Sequence, residues 1–372
     1  MRCRLWTMVV VASLVAVPSY AELGQKGDLD IVMLDVGQGD CFFLELPNGC
    51  KVLVDGGPYG GKTTLPLQLW AFLKETYAQE LNGPEKRILI DAAVLTHSDS
   101  DHLCGIMSLL WSPKVRIKRL YHNWIAPLSQ ANSWEGNFNP HLKGVVAMSK
   151  TQLGGYNGPF AKLLAGVKEE ATRGMTTFDR LGVGDEELLA ALEGDGAGIS
   201  VLNPLEHTRN YDNDRGKVIN ANSVAFRLTW RHFEALFTGD LNHYSEAELW
   251  QSHKDDGLLE CDLLKVPHHG SNDRDSNFLL ATRPLVSFIS AGCRPLDYDH
   301  PKPEALLDIL NAYRRRLGQA DTKTEPSEEQ LVPNHIFVTR YLEENVALWT
   351  DGHELTVKVG GAGYPAVKAE LD

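Results

Sequence analysis

The segment Thr96-His-Ser-Asp-Ser-Asp-His102 decides the interpretation of this sequence. It directly follows Ala92-Ala-Val-Leu95, an apolar run typical of a buried strand. Within six residues it holds four side chains that can bind a cation: His97, Asp99, Asp101 and His102. Burying unpaired carboxylates is costly unless a cation compensates their charge, so the segment predicts a metal site. The alternative is a helix cap, in which Asp99 or Asp101 accepts backbone N–H bonds.

Two later segments carry further ligand types at the ends of predicted strands. Ala235-Leu-Phe-Thr-Gly-Asp240 ends in a carboxylate, and Leu263-Leu-Lys-Val-Pro-His-His-Gly-Ser271 carries two imidazoles. Because strand ends of a layered α/β sheet share one edge, we expect Asp240 to bridge two ions. We predict His268 as the ligand, since Pro267 before it has a fixed φ, and His269 as a catalytic residue facing the substrate. A plain turn is the alternative for Gly-Asp.

The remaining pattern predicts an α/β domain that opens with antiparallel strands at Leu29–Asp35, Cys41–Leu46 and Lys51–Asp55. A helix is expected over Pro66–Leu81, and strands and helices alternate from Ile199 to the helix Pro303–Leu317. We predict one hydrolase domain over residues 22–317, with an insertion at about 111–198. Residues 318–372 are expected to form a linker and a small C-terminal β appendage.

The first 21 residues have the pattern of a cleaved secretory signal peptide, with a basic start, an apolar run and small residues at Ser19 and Ala21. We therefore expect a secreted or periplasmic protein without stable membrane insertion after cleavage. The five cysteines after residue 21 show no Cys-x-x-Cys spacing and are interpreted as small buried residues. A net charge of −13 argues against a generally basic, nucleic-acid-tracking surface.

Seven motifs follow one another over most of residues 29–310: Leu34-Asp-Val-Gly-Gln-Gly-Asp40, Val54-Asp-Gly-Gly57, Thr96-His-Ser-Asp-Ser-Asp-His102, Asn222-Ser-Val-Ala-Phe226, Phe237-Thr-Gly-Asp-Leu241, Pro267-His-His-Gly-Ser271 and His300-Pro301. In this order they resemble the metallo-β-lactamase superfamily. Within it, the sequence is similar to the hydrolase domain of the DNA-internalisation competence proteins of ComEC type and their free-standing relatives. The resemblance does not cover the middle insertion or the residues after about Gly318.

The resemblance implies an αββα sandwich, in which two mixed β-sheets are flanked by helices and the metal site lies on one edge. It also implies hydrolysis by a water that one or two Zn²⁺ ions activate, with Mn²⁺ as the alternative metal. The predicted substrate is a phosphodiester, in a small molecule or in nucleic acid. The predicted metal ligands are His97, Asp99, Asp101, His102, Asp240 and His268. The predicted catalytic residues are Asp101, His269 and His300, with His300 or His269 as the proton donor.

The sequence departs from the family pattern at two ligand positions. Asp99 stands where many members have a second histidine, a departure shared by the competence-type branch. The slot for the third histidine has His207 nearby, and Asn220 or Asn222 as alternatives. Asp55 matches a family residue that orients ligands without binding the metal.

Three alternatives stay open from the sequence. One is hydrolysis of a lactone or amide by the same fold, and another is an exported metal-binding module with weak catalysis. The third is a nucleotide-binding loop, because Gly56-Gly-Pro-Tyr-Gly-Gly-Lys-Thr63 fits the phosphate-loop pattern with Lys62 as its lysine. Pro58 inside the loop and the hairpin before it favour a glycine turn at the rim of the site instead.

Overall fold

The protein is described by a computed structural model. The residues described are 24–58, 67–123, 125–130, 133–135, 141–185, 196–204, 214–292, 299–360 and 366–371. Several sequence predictions lie outside these residues: the signal peptide over residues 1–21, Lys62 and His207.

The first sheet has nine strands among the described residues: β1 (Leu29–Met33), β2 (Phe42–Glu45), β3 (Lys51–Val54), β5 (Ala92–Leu95), β7 (Arg119–His122), β10 (Thr177–Arg180), β17 (Val346–Thr350), β18 (Glu354–Val359) and β19 (Val367–Glu370). Their spatial order is β10-β7-β5-β3-β2-β1-β17-β18-β19. The predicted hairpins are confirmed, because β2 pairs antiparallel with both β1 and β3. Strands β3, β5, β7 and β10 run parallel to one another, so the sheet is mixed.

The second sheet has six strands in sequence order: β11 (Ala197–Asn203), β12 (Ala225–Trp230), β13 (Phe233–Phe237), β14 (Leu263–Lys265), β15 (Val286–Ile289) and β16 (Ile336–Val338). The first three strands are antiparallel, and β13 to β16 are parallel. Two short pairs stand apart: β4 (Ile88–Ile90) with β6 (Val115–Ile117), and β8 (Ala126–Pro127) with β9 (Trp134–Glu135).

Helices connect the strands of both sheets. Their bounds are α1 (Leu67–Thr76), α2 (Ala78–Asn82), α3 (Ser100–Leu110), α4 (Leu142–Ala147), α5 (Lys150–Leu153), α6 (Gly158–Thr172), α7 (Arg215–Ala221), α8 (His243–His253), α9 (Ser276–Thr282), α10 (Pro303–Arg316), α11 (Glu328–Leu331) and α12 (Thr339–Leu342). The single helix predicted over Pro66–Leu81 is divided in the structure, where α2 begins two residues after α1 ends.

Three apolar clusters define the layers. The central cluster joins the inner faces of the two sheets, where Phe237 of β13 stacks on Phe226 and meets Phe42 of β2 edge-on. The second cluster packs α1, α3 and α6 on the outer face of the first sheet, and the third packs α8, α9 and α10 on the outer face of the second. In β1, Leu29, Ile31 and Met33 face the central cluster while Val32 faces the helices, as strand periodicity requires. The predicted αββα sandwich is thus confirmed.

Two predictions of domain organisation are corrected by strand pairing. The segment interpreted as an insertion contributes β7 and β10 to the first sheet, since β7 pairs with β5. The segment interpreted as a small appendage is part of both sheets: β17 pairs with β1, and β16 with β15. Within the described ranges, no helix combines the length and apolar composition that crossing a membrane needs.

Candidate metal centre

Five strands end at the same edge of the sandwich, and each delivers a polar residue there. Strands β3 and β5 of the first sheet lead into Asp55 and His97, and β13 and β15 of the second lead into Asp240 and Ser290. Strand β14 ends at Lys265, just before a 3-10 turn over Pro267–Gly270. The two edges are joined where the Val224 amide donates to the Thr96 carbonyl (2.8 Å). This is the edge where α/β sheets usually form sites.

Three imidazoles converge on one oxygen of Asp240. Asp240 Oδ2 lies 3.8 Å from His97 Nε2, 3.4 Å from His102 Nε2 and 3.3 Å from His269 Nε2. Two further carboxylates border this centre. Asp99 Oδ2 is 3.9 Å from His97 Nε2, and Asp101 Oδ2 is 3.7 Å from His269 Nε2. Of the predicted ligands, the structure therefore brings together His97, Asp99, Asp101, His102 and Asp240.

The outward nitrogens of the three histidines are all engaged by oxygen atoms. His102 Nδ1 donates to Asp55 Oδ2 (2.8 Å), and His269 Nδ1 donates to the Ser290 carbonyl (2.7 Å). Thr96 Oγ1 donates to Asp55 Oδ2 (2.6 Å), so His97 Nδ1 donates to Thr96 Oγ1 (3.0 Å). With the Nδ1 proton fixed in this way, each neutral ring presents a lone pair at Nε2.

Asp55 is the residue that orders this network. It is fully buried, and Oδ1 also accepts the Thr96 amide (2.8 Å). Its φ of 57° lies in the left-handed region, where aspartate and asparagine are the side chains best tolerated after glycine. The predicted orienting role of Asp55 agrees with this geometry, because it reaches His102 directly and His97 through Thr96.

Asp40 and Lys265 form a buried ion pair behind the centre, and neither is among the site residues predicted from the sequence. Lys265 Nζ contacts Asp40 Oδ2 and donates to the Gly239 carbonyl (2.6 Å). Asp40 Oδ1 lies 3.4 Å from His269 Nδ1, and its Oδ2 lies 3.7 Å from His102 Nδ1. Asp40 thus faces the Nδ1 side of both rings. The signals for them were a lysine inside an apolar strand pattern and a carboxylate after the Gly37-Gln-Gly39 turn.

The structure separates the two adjacent histidines differently from the prediction. Both have positive φ angles, 47° at His268 and 54° at His269, so the turn redirects both side chains. His269 is the one that joins Asp240, in a group of Asp40, His102, Asp240 and His269 whose potential ligand atoms lie within 4.8 Å of one another. His268 Nε2 instead lies 3.4 Å from the amide of Asn220.

The neighbourhood of Asp99 holds the two asparagines considered for the third-histidine slot. Asn220 in α7 faces the centre, because its amide also lies 3.3 Å from Asp99 Oδ2. Asn222 is turned away, since its Nδ2 donates to the Val218 carbonyl (2.7 Å). The side-chain amide of Asn220 therefore borders Asp99, and His268 contacts the same amide group.

His300 lies beside the two histidines of the 3-10 turn. Its ring centre is 5.9 Å from that of His268 and 6.4 Å from that of His269. Burial, followed by the charges of His269 and His268, lowers the pKa of His300 to about 4. His300 is therefore neutral at about pH 7, and its ring lies closer to that of His268 than to that of His269.

The charges at the centre depend strongly on one another. Burial opposes ionisation of Asp240, but His269 and His102 outweigh it and hold the Asp240 pKa well below its usual range. Burial likewise opposes protonation of His269, yet Asp240 and Asp40 raise its pKa to about 10. Burial and the neighbouring His102 lower the pKa of His97 well below its usual value. The carboxylates of the centre therefore favour a positive charge at His269 and His102.

A close helix-to-loop contact fixes the start of α3, which carries Asp101 and His102. The Gly56 amide donates to the His102 carbonyl (2.8 Å), and the Gly105 amide donates to the Gly57 carbonyl (3.1 Å). A Cβ on Gly105 would lie 1.7 Å from the Gly56 carbonyl oxygen, so only glycine fits there. The described part of the glycine-rich loop thus packs on α3.

The residues present fit a divalent cation. Among the residues that the structure describes, the buried His97 Nε2 has no hydrogen-bond partner, although it lies within 4 Å of two carboxylates. A buried ring nitrogen is seldom left without a partner unless an ion completes it. Imidazole nitrogens with carboxylate oxygens are the donor set of zinc and manganese sites.

Residues 34–180 match the family described as the metallo-beta-lactamase superfamily, and the αββα fold and the candidate metal site agree with that match. Among characterised proteins, the chain is similar to ComE operon protein 3 of Bacillus subtilis, with 26% identity over 314 residues. The alignment covers 81% of this chain and 33% of the relative, so the chain spans about a third of that protein. The resemblance to ComEC-type proteins is confirmed.

Two solved structures are also similar. One is CmlA, a diiron beta-hydroxylase from Streptomyces venezuelae, with 18% identity, a TM-score of 0.38 and coverage of 80% of this chain and 52% of CmlA. The other is a mutant of the CmlA beta-hydroxylase, with 17% identity, a TM-score of 0.37 and coverage of 78% and 51%.

Proposed function

We propose that this protein is an exported, metal-dependent phosphodiesterase. The observation that carries the proposal is the arrangement of His97, His102 and His269, each fixed through Nδ1 and directing Nε2 at Asp240 Oδ2. Three imidazoles held in one tautomer around one carboxylate oxygen are what a resident cation requires. Asp99 and Asp101 add an oxygen ligand on either side.

The residues present could hold two ions. His97 and Asp99 would hold one, and Asp101, His102 and His269 the other, with Asp240 facing both sets of residues. We revise the predicted ligand from His268 to His269, because only His269 reaches Asp240. Bound Zn²⁺ or Mn²⁺ would acidify a water molecule and offset negative charge that develops on the substrate.

The chain's own groups suggest how a substrate is held. His268 and His300 lie next to His269, and burial lowers the pKa of both, so we place them on the substrate side as neutral rings that would hydrogen-bond the substrate. The cations Arg215 and Lys302 lie close enough to act electrostatically on Asp99 and His300. These cations support an anionic substrate, which favours a phosphodiester over the lactone or amide alternatives.

The test is hydrolysis of bis-p-nitrophenyl phosphate by the full chain loaded with Zn²⁺ or Mn²⁺, compared with lactone and β-lactam substrates. We expect turnover of the phosphodiester that a chelator abolishes and added metal restores. Preference for a lactone or β-lactam would contradict the phosphodiester assignment, and metal binding without turnover of any substrate would favour the weak metal-binding module.

A matched pair of variants tests the ligand assignment. His269→Ala should lower the metal-to-protein ratio, whereas His268→Ala should keep the metal and slow turnover by about 100-fold, within the range for loss of one hydrogen-bond donor to the transition state. The reverse order of metal contents would restore His268 as the ligand. Secretion is tested separately, by the N-terminal sequence of the protein recovered outside the cytoplasm.

A further inference from the structure

The structure assigns a positioning role to Lys265: we infer that its ammonium group holds the Asp240 carboxylate so that only one of its two oxygens faces a bound cation. This inference rests on the proposed metal-dependent function. It concerns a residue that would act on the ion through Asp240.

The position of Lys265 is unusual for a lysine. It is the last residue of β14, its side chain is 1% exposed, and the residues before it in the strand are buried leucines. Burying an ammonium group is strongly unfavourable unless hydrogen bonds and an opposite charge compensate it. The burial of a lysine beside a candidate metal centre therefore indicates a specific structural role.

The contacts of the ammonium group match its three donors. It forms the ion pair with Asp40, donates to the Gly239 carbonyl at 2.6 Å and lies 3.5 Å from Asp240 Oδ1. Gly239 immediately precedes Asp240. Lys265 is thus attached to the backbone and to the side chain of the same loop, with Asp40 as its counter-ion.

The two oxygens of Asp240 have different surroundings. Oδ2 faces the Nε2 atoms of the three histidines at 3.3 to 3.8 Å, whereas Oδ1 faces Lys265. The backbone of the loop is also held, because the Asp240 amide donates to Ser223 Oγ (3.1 Å). Rotation of the carboxylate would exchange its oxygens or let both bind one ion, and Lys265 opposes that rotation. Asp240 would thereby present a single oxygen to a bound cation.

Asp40 makes this possible without repelling the cation. A lone ammonium group this close to a divalent ion would weaken its binding through charge repulsion. Paired with Asp40, Lys265 contributes no net charge, and it orients Asp240 through the ion-pair contact of its ammonium group with Oδ1. Replacing both residues by uncharged side chains leaves the local net charge unchanged. A change in metal affinity would then report the lost orientation of Asp240.

The experiment compares two double variants, D40N/K265M and D40N/K265Q, with the parent protein. Each removes one negative and one positive charge, so the local net charge is unchanged. Neither presents an ammonium group to Asp240, and glutamine is also the shorter side chain. Mn²⁺ and Zn²⁺ affinities are measured by chelator competition, with thermal unfolding of the metal-free protein as the fold control. Lys254→Met, at an exposed lysine remote in sequence from the motifs, is the matched control.

We expect both double variants to unfold cooperatively and to bind metal about ten-fold more weakly than the parent, as for loss of a group that orients a ligand. Lys254→Met should bind as the parent does. Parental or tighter metal binding in either folded double variant would overturn the positioning role. Absence of metal binding in the parent would instead refute the proposed function, and the inference with it.

Discussion

Replacing Asp55 by asparagine tests how the chain prepares its histidines for a cation. Asp55 accepts hydrogen bonds from the Thr96 amide, Thr96 Oγ1 and His102 Nδ1 at 2.6 to 2.8 Å. Asparagine has nearly the same shape and is favoured at the positive φ of this position, so the fold should survive. Its Nδ2, however, donates hydrogen bonds where the carboxylate oxygen accepted them.

The consequence falls on His102. An amide NH₂ opposite His102 Nδ1 would require Nδ1 to accept, which moves the ring proton to Nε2 and removes the lone pair that a metal needs. Losing an orienting partner of a metal-bound histidine costs about 10–100-fold in affinity, which corresponds to about 1.4–2.7 kcal/mol. Asp55→Asn should therefore lose Zn²⁺ affinity to this extent.

The assay is competition for Zn²⁺ with a chromophoric chelator, with thermal unfolding of the metal-free protein measured in parallel. Asp256→Asn is the matched control, because Asp256 is exposed and pairs only with His253 and nearby backbone among the described residues. Unchanged affinity in a well-folded Asp55→Asn protein would refute the tautomer argument.

Three further predictions concern the helix contact, the core and pH. Gly105→Ala should lower both stability and metal affinity, because its Cβ would overlap the Gly56 carbonyl and displace α3; parental values of both in chelator competition and thermal melts would contradict this. Phe237→Ala should reduce the free energy of unfolding by about 3–5 kcal/mol in denaturant titrations, since it removes the ring packed on Phe42 between the sheets. Metal affinity should rise with pH, because His269, with its pKa raised to about 10, must lose its proton to bind a metal. Over about pH 6–9, calorimetry should show proton release on metal binding and an affinity gain of about ten-fold per pH unit for each proton released. A metal affinity that does not change with pH would count against His269 as a ligand.

Local sequence patterns were sufficient to predict most strands of the sandwich. The hairpins around Pro47-Asn-Gly49 and the strand before His97 were predictable because alternation and turn residues act over a few positions. The pairing of β17 with β1 was not, because it joins residues more than 300 positions apart and leaves no local signal. The last strands were therefore assigned to an appendage instead of the first sheet.

The candidate centre was likewise predictable where the signal is local and was not predictable where it depends on the fold. His97, Asp99, Asp101, His102 and Asp240 were predictable because ligand types cluster at strand ends. The choice between His268 and His269 was not, because the left-handed backbone at both residues reverses the directions that a strand end implies.

The roles of Asp40 and Lys265 depend on two strands of different sheets meeting in space. Each alone has an ordinary interpretation, as a turn aspartate and as a strand lysine. Only the fold shows that they form a buried ion pair next to Asp240.

The metal content of the purified protein tests the central claim most directly. We expect at least one equivalent of Zn²⁺ or Mn²⁺ per chain after incubation with these ions and removal of the excess. Asp240→Ala should retain less than about a tenth of it, because its Oδ2 faces all three histidines. A parent protein without metal, or an Asp240→Ala protein with parental metal content, would contradict a metal centre built around Asp240.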